Sequence, residues 1–242
     1  MNIYVRNIVA IVLLLPFGLI SQTHNNKNLE LGNFFISHYK RDFLRSSFTN
    51  NVVLQDREGV IYVGNTRNGL IEFDGQRVRR VLKDGKPMID EIKGAEIDSK
   101  NTIYLGLLRG NFGYLQKNKF GQNEYISLSD QLPKKADFFW GLEVYQDTVF
   151  FQTENAVYLF KDKKYLRTYK FKDNIHIISS SPDGVYLRIW GKGLFKYAAK
   201  DGFSVIKGSE KLFAQNPIDA NYQLDNGDYL LVSRNIGLIR MT

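Results

Sequence analysis

Gly59-Val60-Ile61-Tyr62-Val63-Gly64-Asn65-Thr66-Arg67-Asn68-Gly69-Leu70-Ile71-Glu72-Phe73-Asp74-Gly75 reads as two short apolar strands with the turns around them. Val60–Val63 and Leu70–Phe73 are β-branched and aromatic runs of strand length. Asn65–Gly69 and Asp74-Gly75 carry turn chemistry, because Asn and Gly supply the positive φ that tight hairpins demand. Upstream lie Val52-Val53-Leu54 and the turn Asp56–Gly59; downstream lies Arg77–Val81. The stretch 52–81 is therefore a unit of four short strands and three turns.

The unit recurs. Its skeleton returns at Asp98–Asn101 with Thr102–Gly106 and Phe112–Leu115, and at Thr148–Phe151 with Val157–Phe160. It returns again at Pro182–Gly184 with Val185–Leu187 and Gly193–Phe195, and at Asp225–Gly227 with Tyr229–Val232 and Gly237–Ile239. The aromatics of the second strands, Tyr62, Tyr104, Phe150, Tyr186 and Tyr229, are spaced by 42, 46, 36 and 43 residues. A period of about 40–45 with four strands per unit is what propeller blades need. The strands are near-continuously apolar, as expected of sheets covered on both faces, and no long amphipathic helix is present. The expected fold is an all-β propeller of four-stranded blades, with blades at roughly 46–83, 90–128, 136–171, 173–208 and 216–242.

The fifth unit carries no outer strand before Thr242. Leu31–Tyr39, within an N-terminal segment 22–45, is a possible ring-closing strand. A closed five-blade ring and an incomplete ring of six to eight blades, this chain being one part of a longer protein, both satisfy the pattern; the second is favoured.

Composition agrees with a folded β protein. The 242 residues are 43% hydrophobic and 14% aromatic, with 17 Phe, 14 Tyr and 20 Gly. Zero cysteine excludes disulfides, thiolate metal sites and Cys nucleophiles, and three His leave little for a His-based metal site. The start, Met1–Asn7 with Arg6, then the apolar run Ile8–Ile20, then Ser21, reads as a signal peptide over 1–21. That run would span only about 20 Å as a helix, short of the ~30 Å bilayer core. The mature chain is expected in the periplasm or outside the cell, with no membrane span once the signal is cleaved.

The motif Gly59–Gly75 resembles the two-component-regulator propeller repeat, whose blades read roughly as Gly, aromatic, apolar, Gly-Thr, Gly-Leu and aromatic-Asp-Gly. Phe35–Tyr39 and Val52–Asp56 are similar to the start of such sensors, with Gly64-Asn65 in place of the commoner Gly-Thr. The resemblance is to Bacteroidetes-type regulators with periplasmic propellers and a triple-tyrosine domain. It is strong over 31–82 and looser through 90–242. It implies a non-enzymatic ligand-sensing propeller whose signalling output domains lie outside this sequence.

Candidate chemistry is sparse. The turns at Asp56–Gly59, Asp98–Asn101 and Asp225–Gly227 place acids about 40 residues apart, and a calcium loop needs several oxygens within a dozen residues; they read as hairpin turns. Ser179–Ser181 with His176 lacks a nucleophile elbow, and nothing orders Asp137 and Glu143 as a glycosidase pair. Phosphate loops and zinc spacings are absent, so no cofactor is expected.

The sharper feature is a rim. In a propeller the loops joining second and third strands share one end of the ring with the blade-to-blade connections. Those loops carry Asn65, Thr66 and Arg67; Arg109 and Asn111; Glu154 and Asn155; Trp190 and Lys192; Arg234 and Asn235, with Trp140 at a nearby blade entry. Arg forks hold carboxylate or sulfate, and an indole stacks on a sugar face. The ligand site is therefore expected at Asn65, Arg67, Arg109, Asn111, Trp140, Trp190, Lys192, Arg234 and Asn235, for a small ligand or an anionic oligosaccharide. The net charge of +8 is scattered over hairpins rather than striped, which argues against nucleic acid. An extracytoplasmic propeller enzyme acting on polysaccharide and a protein-binding scaffold are the alternatives.

Overall fold

A computed structural model describes residues 37–46 and 49–241, and five sheets, antiparallel but for one short pairing, follow one another along the chain. Blade 1 is β1 (Asn50–Gln55), β2 (Ile61–Asn65), β3 (Leu70–Phe73) and β4 (Val78–Arg80). Two short strands follow, β5 (Leu82–Lys83) and β6 (Lys86–Pro87). Blade 2 is β7 (Ile92–Ile97), β8 (Ile103–Leu107), β9 (Asn111–Lys117) and β10 (Asn123–Ser127). Blade 3 is β11 (Phe139–Tyr145), β12 (Thr148–Thr153), β13 (Ala156–Lys161) and β14 (Lys164–Lys170). Blade 4 is β15 (Ile175–Ser181), β16 (Gly184–Ile189), β17 (Gly193–Ala198) and β18 (Gly202–Val205). Blade 5 has three strands, β19 (Ala220–Gln223), β20 (Tyr229–Ser233) and β21 (Gly237–Met241).

The first strands of successive blades meet in series, β1 with β7, β7 with β11, and β11 with β15. Sheets that follow the chain in order and touch through their first strands stand radially about a shared axis: the fold is a β-propeller. Its apolar cores accordingly lie between blades. Leu70, Ile92 and Leu105 belong to the core between blades 1 and 2. Phe112 of blade 2 stacks on Phe151 of blade 3 with ring centroids 4.4 Å apart. Phe150, Ile178 and Leu187 belong to the core between blades 3 and 4.

The recurring aromatic on the second strand has a local cause. Asp56 accepts the backbone N–H groups of Glu58 and Val60 and so closes the turn before β2. Its other oxygen accepts the Tyr62 hydroxyl at 3.1 Å. Blade 2 repeats this with Asp98, Lys100, Thr102 and Tyr104. In blade 3 the turn residues Gln146 and Asp147 have positive φ. Asp147 accepts Ser99 N–H of blade 2 instead, and the aromatic is Phe150, which needs no acceptor.

Two features depart from the strand pattern expected at the blade edges. Leu82–Lys83 does not extend blade 1: β5 pairs in parallel with β10 through Leu82 and Glu124, so the β5–β6 hairpin caps the outer edge of blade 2. Its Asp84-Gly85 turn has positive φ at both residues, the geometry of a two-residue hairpin. Residues 41–44 form a single helical turn, α1 (Arg41–Leu44), and Tyr39 and Phe43 pack their rings on Phe73 of blade 1. A second short helix, α2 (Glu210–Phe213), lies in the connection to blade 5. The signal peptide over 1–21 and residues 31–36 of the proposed closing strand lie outside the described residues. No helix among the described residues is long and apolar enough to cross a membrane.

Candidate functional site: the bulged inner-strand ends

Each of the first four inner strands breaks register once, at the same place. The ladder of β1 with β2 skips between Asn50 and Val52, and that of β7 with β8 skips between Ile92 and Gly94. The ladder of β11 with β12 skips between Phe139 and Gly141, and that of β15 with β16 between Ile175 and Ile177. The extra residues are Asn51, Lys93, Trp140 and His176. Bulges re-aim a side chain and are favoured beside binding and active sites. Here they recur at the entry of the inner strands of blades 1 to 4, which stand next to one another in series. Blade 5 lacks the bulge, its ladder running unbroken from Ala220 to Gln223.

The four bulged residues differ in what they can offer a ligand. Trp140 is 55% exposed, and its indole presents a broad apolar face. Lys93 pairs with Glu91 at 2.9 Å. Asn51 donates to the Ile92 carbonyl at 2.8 Å, tying blade 1 to blade 2. His176 packs edge-on against Trp190 with centroids 5.0 Å apart. Burial, and then the Arg188 charge, hold its pKa below the usual histidine value, so its ring favours the neutral form.

The loop residues expected at this rim all lie on it, because every second-to-third-strand loop emerges at the end where inner strands begin. Their availability is unequal. Asn65 is fully buried: its Oδ1 accepts the N–H groups of Arg67 and Asn68, and its Nδ2 donates to Asn50. That side chain builds the turn and is not presented to solvent. Arg67 and Arg109 are exposed and make no ion pair among the described residues. Asn111, half-buried, opens β9. Trp190 is 40% exposed, but one face lies under the Arg188 guanidinium at 3.5 Å. Lys192 sits 3.6 Å from Asp173. Arg234 is bound to Asp219 through its guanidinium and its backbone N–H, and Asn235 makes a 3.5 Å contact with Asn216.

Two grooves lie beside these loops, and the first holds Arg109 and Asn111. One, of about 360 Å³, is lined by Thr66, Ile89, Asp90, Leu107, Arg109 and Asn111. The other, of about 410 Å³, is more basic, with Lys134, Lys135 and Lys170 beside Asn155, Tyr158 and Tyr165. The second groove was not legible as a site, because its lysines come from a connection and an outer strand end that lie far apart in the chain.

The paired carboxylates weighed from the sequence do not form a pair: Asp137 is exposed in the connection before β11, whereas Glu143 lies within it. Glu143 instead accepts the Ser180 hydroxyl of β15 at 2.6 Å. Burial, with Glu96 of β7 adding like charge, pushes its pKa up to about 7. Ser180 is thus spent on Glu143, and His176 is on Trp190. No group of three or more His, Asp or Glu fit to hold a metal exists among the described residues.

Among solved structures, the chain is similar to the virginiamycin B lyase of Staphylococcus aureus, at 8% identity and a TM-score of 0.55, over 78% of this chain and 68% of the lyase. It is similar to the computationally designed Ika8 protein at 10% identity and a TM-score of 0.59, over 79% of this chain and 57% of that one. The extracellular domain of a protein of B. thetaiotaomicron, described as a one-component system, matches at 19% identity and a TM-score of 0.48, over 80% of this chain but 32% of that one. At these identities the likeness concerns the fold alone. No family model and no curated relative matches the chain. The solved propellers include an enzyme and a designed protein, so function must be argued from the site.

Proposed function

We propose that this chain is the extracytoplasmic ligand-binding propeller of a signalling regulator of the two-component-regulator propeller type, and that it binds without catalysing. The observation that carries the reading is the four-fold recurrence of the inner-strand bulge. Supporting it, Trp140 with its exposed indole, Lys93, Asn51 and His176 share one register position at the same end of four neighbouring inner strands, the end from which the loops with Arg67 and Arg109 emerge. That set suits an oligosaccharide carrying carboxylate or sulfate: the indole stacks on a sugar face, and the cations meet the anionic groups. Signalling would follow if the ligand bridges several blades and binds one packing of the ring against its neighbouring domains better than another.

The test is a titration of the mature chain with sulfated and uronic-acid oligosaccharides, read by intrinsic tryptophan fluorescence. Trp140→Ala is expected to weaken binding at least tenfold while leaving the unfolding midpoint unchanged, since this side chain is half exposed. An unaltered affinity would place the ligand elsewhere. A second reading, an enzyme acting on polysaccharide, draws on Glu143, whose proton is held near neutral pH beside Glu96. Turnover of any of these oligosaccharides, abolished by Glu143→Gln, would favour it.

A further inference from the structure

Arg188 lies on β16 and is 1% exposed. Its Nε donates to the Phe213 carbonyl and its Nη2 to the Ala214 carbonyl, each at 2.9 Å. Its face rests on Trp190. Among the described residues no carboxylate forms an ion pair with it, and its buried Nη1 has no hydrogen-bond partner. Two carbonyls and an indole supply partial negative charge only, and guanidinium keeps its proton at physiological pH. A buried cation in that state calls for a counter-charge. Burial alone draws its pKa down to about 10, with no anionic group acting against it.

The fold does not require a cation at this position. In register, the equivalents of Arg188 are Gly64 in blade 1, Gly106 in blade 2, Gln152 in blade 3 and Leu231 in blade 5, all uncharged. Beside Arg188 a cavity of about 30 Å³ opens between blades 4 and 5. Ser179 and Asn221 bring polar groups to its wall, beside Tyr186 and Tyr229 and the apolar Leu194, Ile218 and Leu231. A volume of about 10–15 Å³ holds one water, so this space admits one compact ion or the head of a carboxylate.

We propose that the cleft between blades 4 and 5 is a binding site for a compact monoanion, a halide or a carboxylate, seated against Arg188 with Ser179 and Asn221 completing its shell. Nη1 is the nitrogen with no partner, and the small volume beside it suits a halide or a single carboxylate group better than a phosphate. The site adjoins the bulged rim through Trp190 and His176, but an anion could fill it whether or not the rim binds a ligand.

Crystals of the mature chain soaked in sodium bromide and measured at the bromine absorption edge test it. An anomalous peak at about hydrogen-bonding distance from Nη1 is expected if a halide is accepted. Thermal unfolding in sodium acetate, at matched ionic strength, tests the carboxylate arm. Acetate should raise the midpoint of the native chain but not that of Arg188→Gln, a side chain already accommodated at the equivalent position of blade 3. Should that variant fail to fold, co-crystals with acetate replace it, with carboxylate density expected at Nη1. A bromide peak or an Arg188-dependent acetate effect supports the site and says which source fills it. Water at Nη1 in both salts, with no acetate effect that depends on Arg188, overturns it.

Discussion

Blades 1 and 2 meet their successors differently from blades 3 and 4. At the equivalent register position of the second strand, the first pair has Gly64 and Gly106. A Cβ there would lie 2.7 Å from Ile92 Cγ2 and 2.0 Å from the Phe139 ring, so these glycines exist to admit the first inner-strand residue of the next blade. The second pair has Gln152 and Arg188. Gln152 accepts the Ile178 N–H across the interface at 2.9 Å, and Arg188 reaches the carbonyls of the connection to blade 5. At this one register position, the first two interfaces are closed by apolar interdigitation and the next two by buried polar groups beside their apolar cores. The glycine of the repeat motif is therefore an interface device, and where it is lost a hydrogen bond takes over its role in joining blades.

That contrast can be broken at its most rigid point first. Gly106→Ala should cost about 3 kcal/mol or more, because the new methyl meets an aromatic ring rather than a flexible end. Adding Phe139→Leu should recover part of that loss, and chemical denaturation of the two single variants and the double variant measures the coupling. On the polar side, Gln152→Ala should cost about 2 kcal/mol by stranding the buried Ile178 N–H. An equal cost at Gly106 and Gln152 with no coupling to Phe139 would mean that the two pairs of interfaces do not differ as described.

A pH series sharpens the same division. Glu143 ties blade 3 to blade 4 through Ser180, and its pKa is raised to about 7 from 4.5. The folded chain then holds a proton that the unfolded chain releases above pH 4.5. Stability from this group is fully present below that value and declines as pH rises towards 7, by about 3 kcal/mol. Glu143→Gln should flatten the decline in a melting series between pH 4.5 and 7.5. The smallest effect is expected at Tyr62→Phe, about 1 kcal/mol, from loss of the hydroxyl held by Asp56. Phe150→Tyr should give no matching gain, because its turn offers no equivalent acceptor.

Much of the fold was legible because strand-length apolar runs and Asp-Gly or Asn-Gly turns recur at a blade-sized period. The β5–β6 hairpin was not, because two-residue strands carry no periodicity; its one signal was Asp84-Gly85. The rim was half legible. Trp140 stood out as an indole at a blade entry, but Asn51, Lys93 and His176 share its role only through register, which a single strand does not display. Asn65 misled for a local reason: an asparagine opening a turn spends its side chain on the backbone that follows it. Arg188 reads in sequence as an ordinary strand cation, and only its burial without a carboxylate marks it.

Ligand binding at this rim requires the four bulged residues to act as one surface. Calorimetric titration of the same anionic oligosaccharide into Asn51→Ala, Lys93→Ala, Trp140→Ala and His176→Ala tests this directly. Weaker binding is expected in all four, most in Trp140→Ala, with unfolding midpoints little changed in Lys93→Ala and Trp140→Ala. A ligand that binds the native chain tightly and is indifferent to all four substitutions would contradict it.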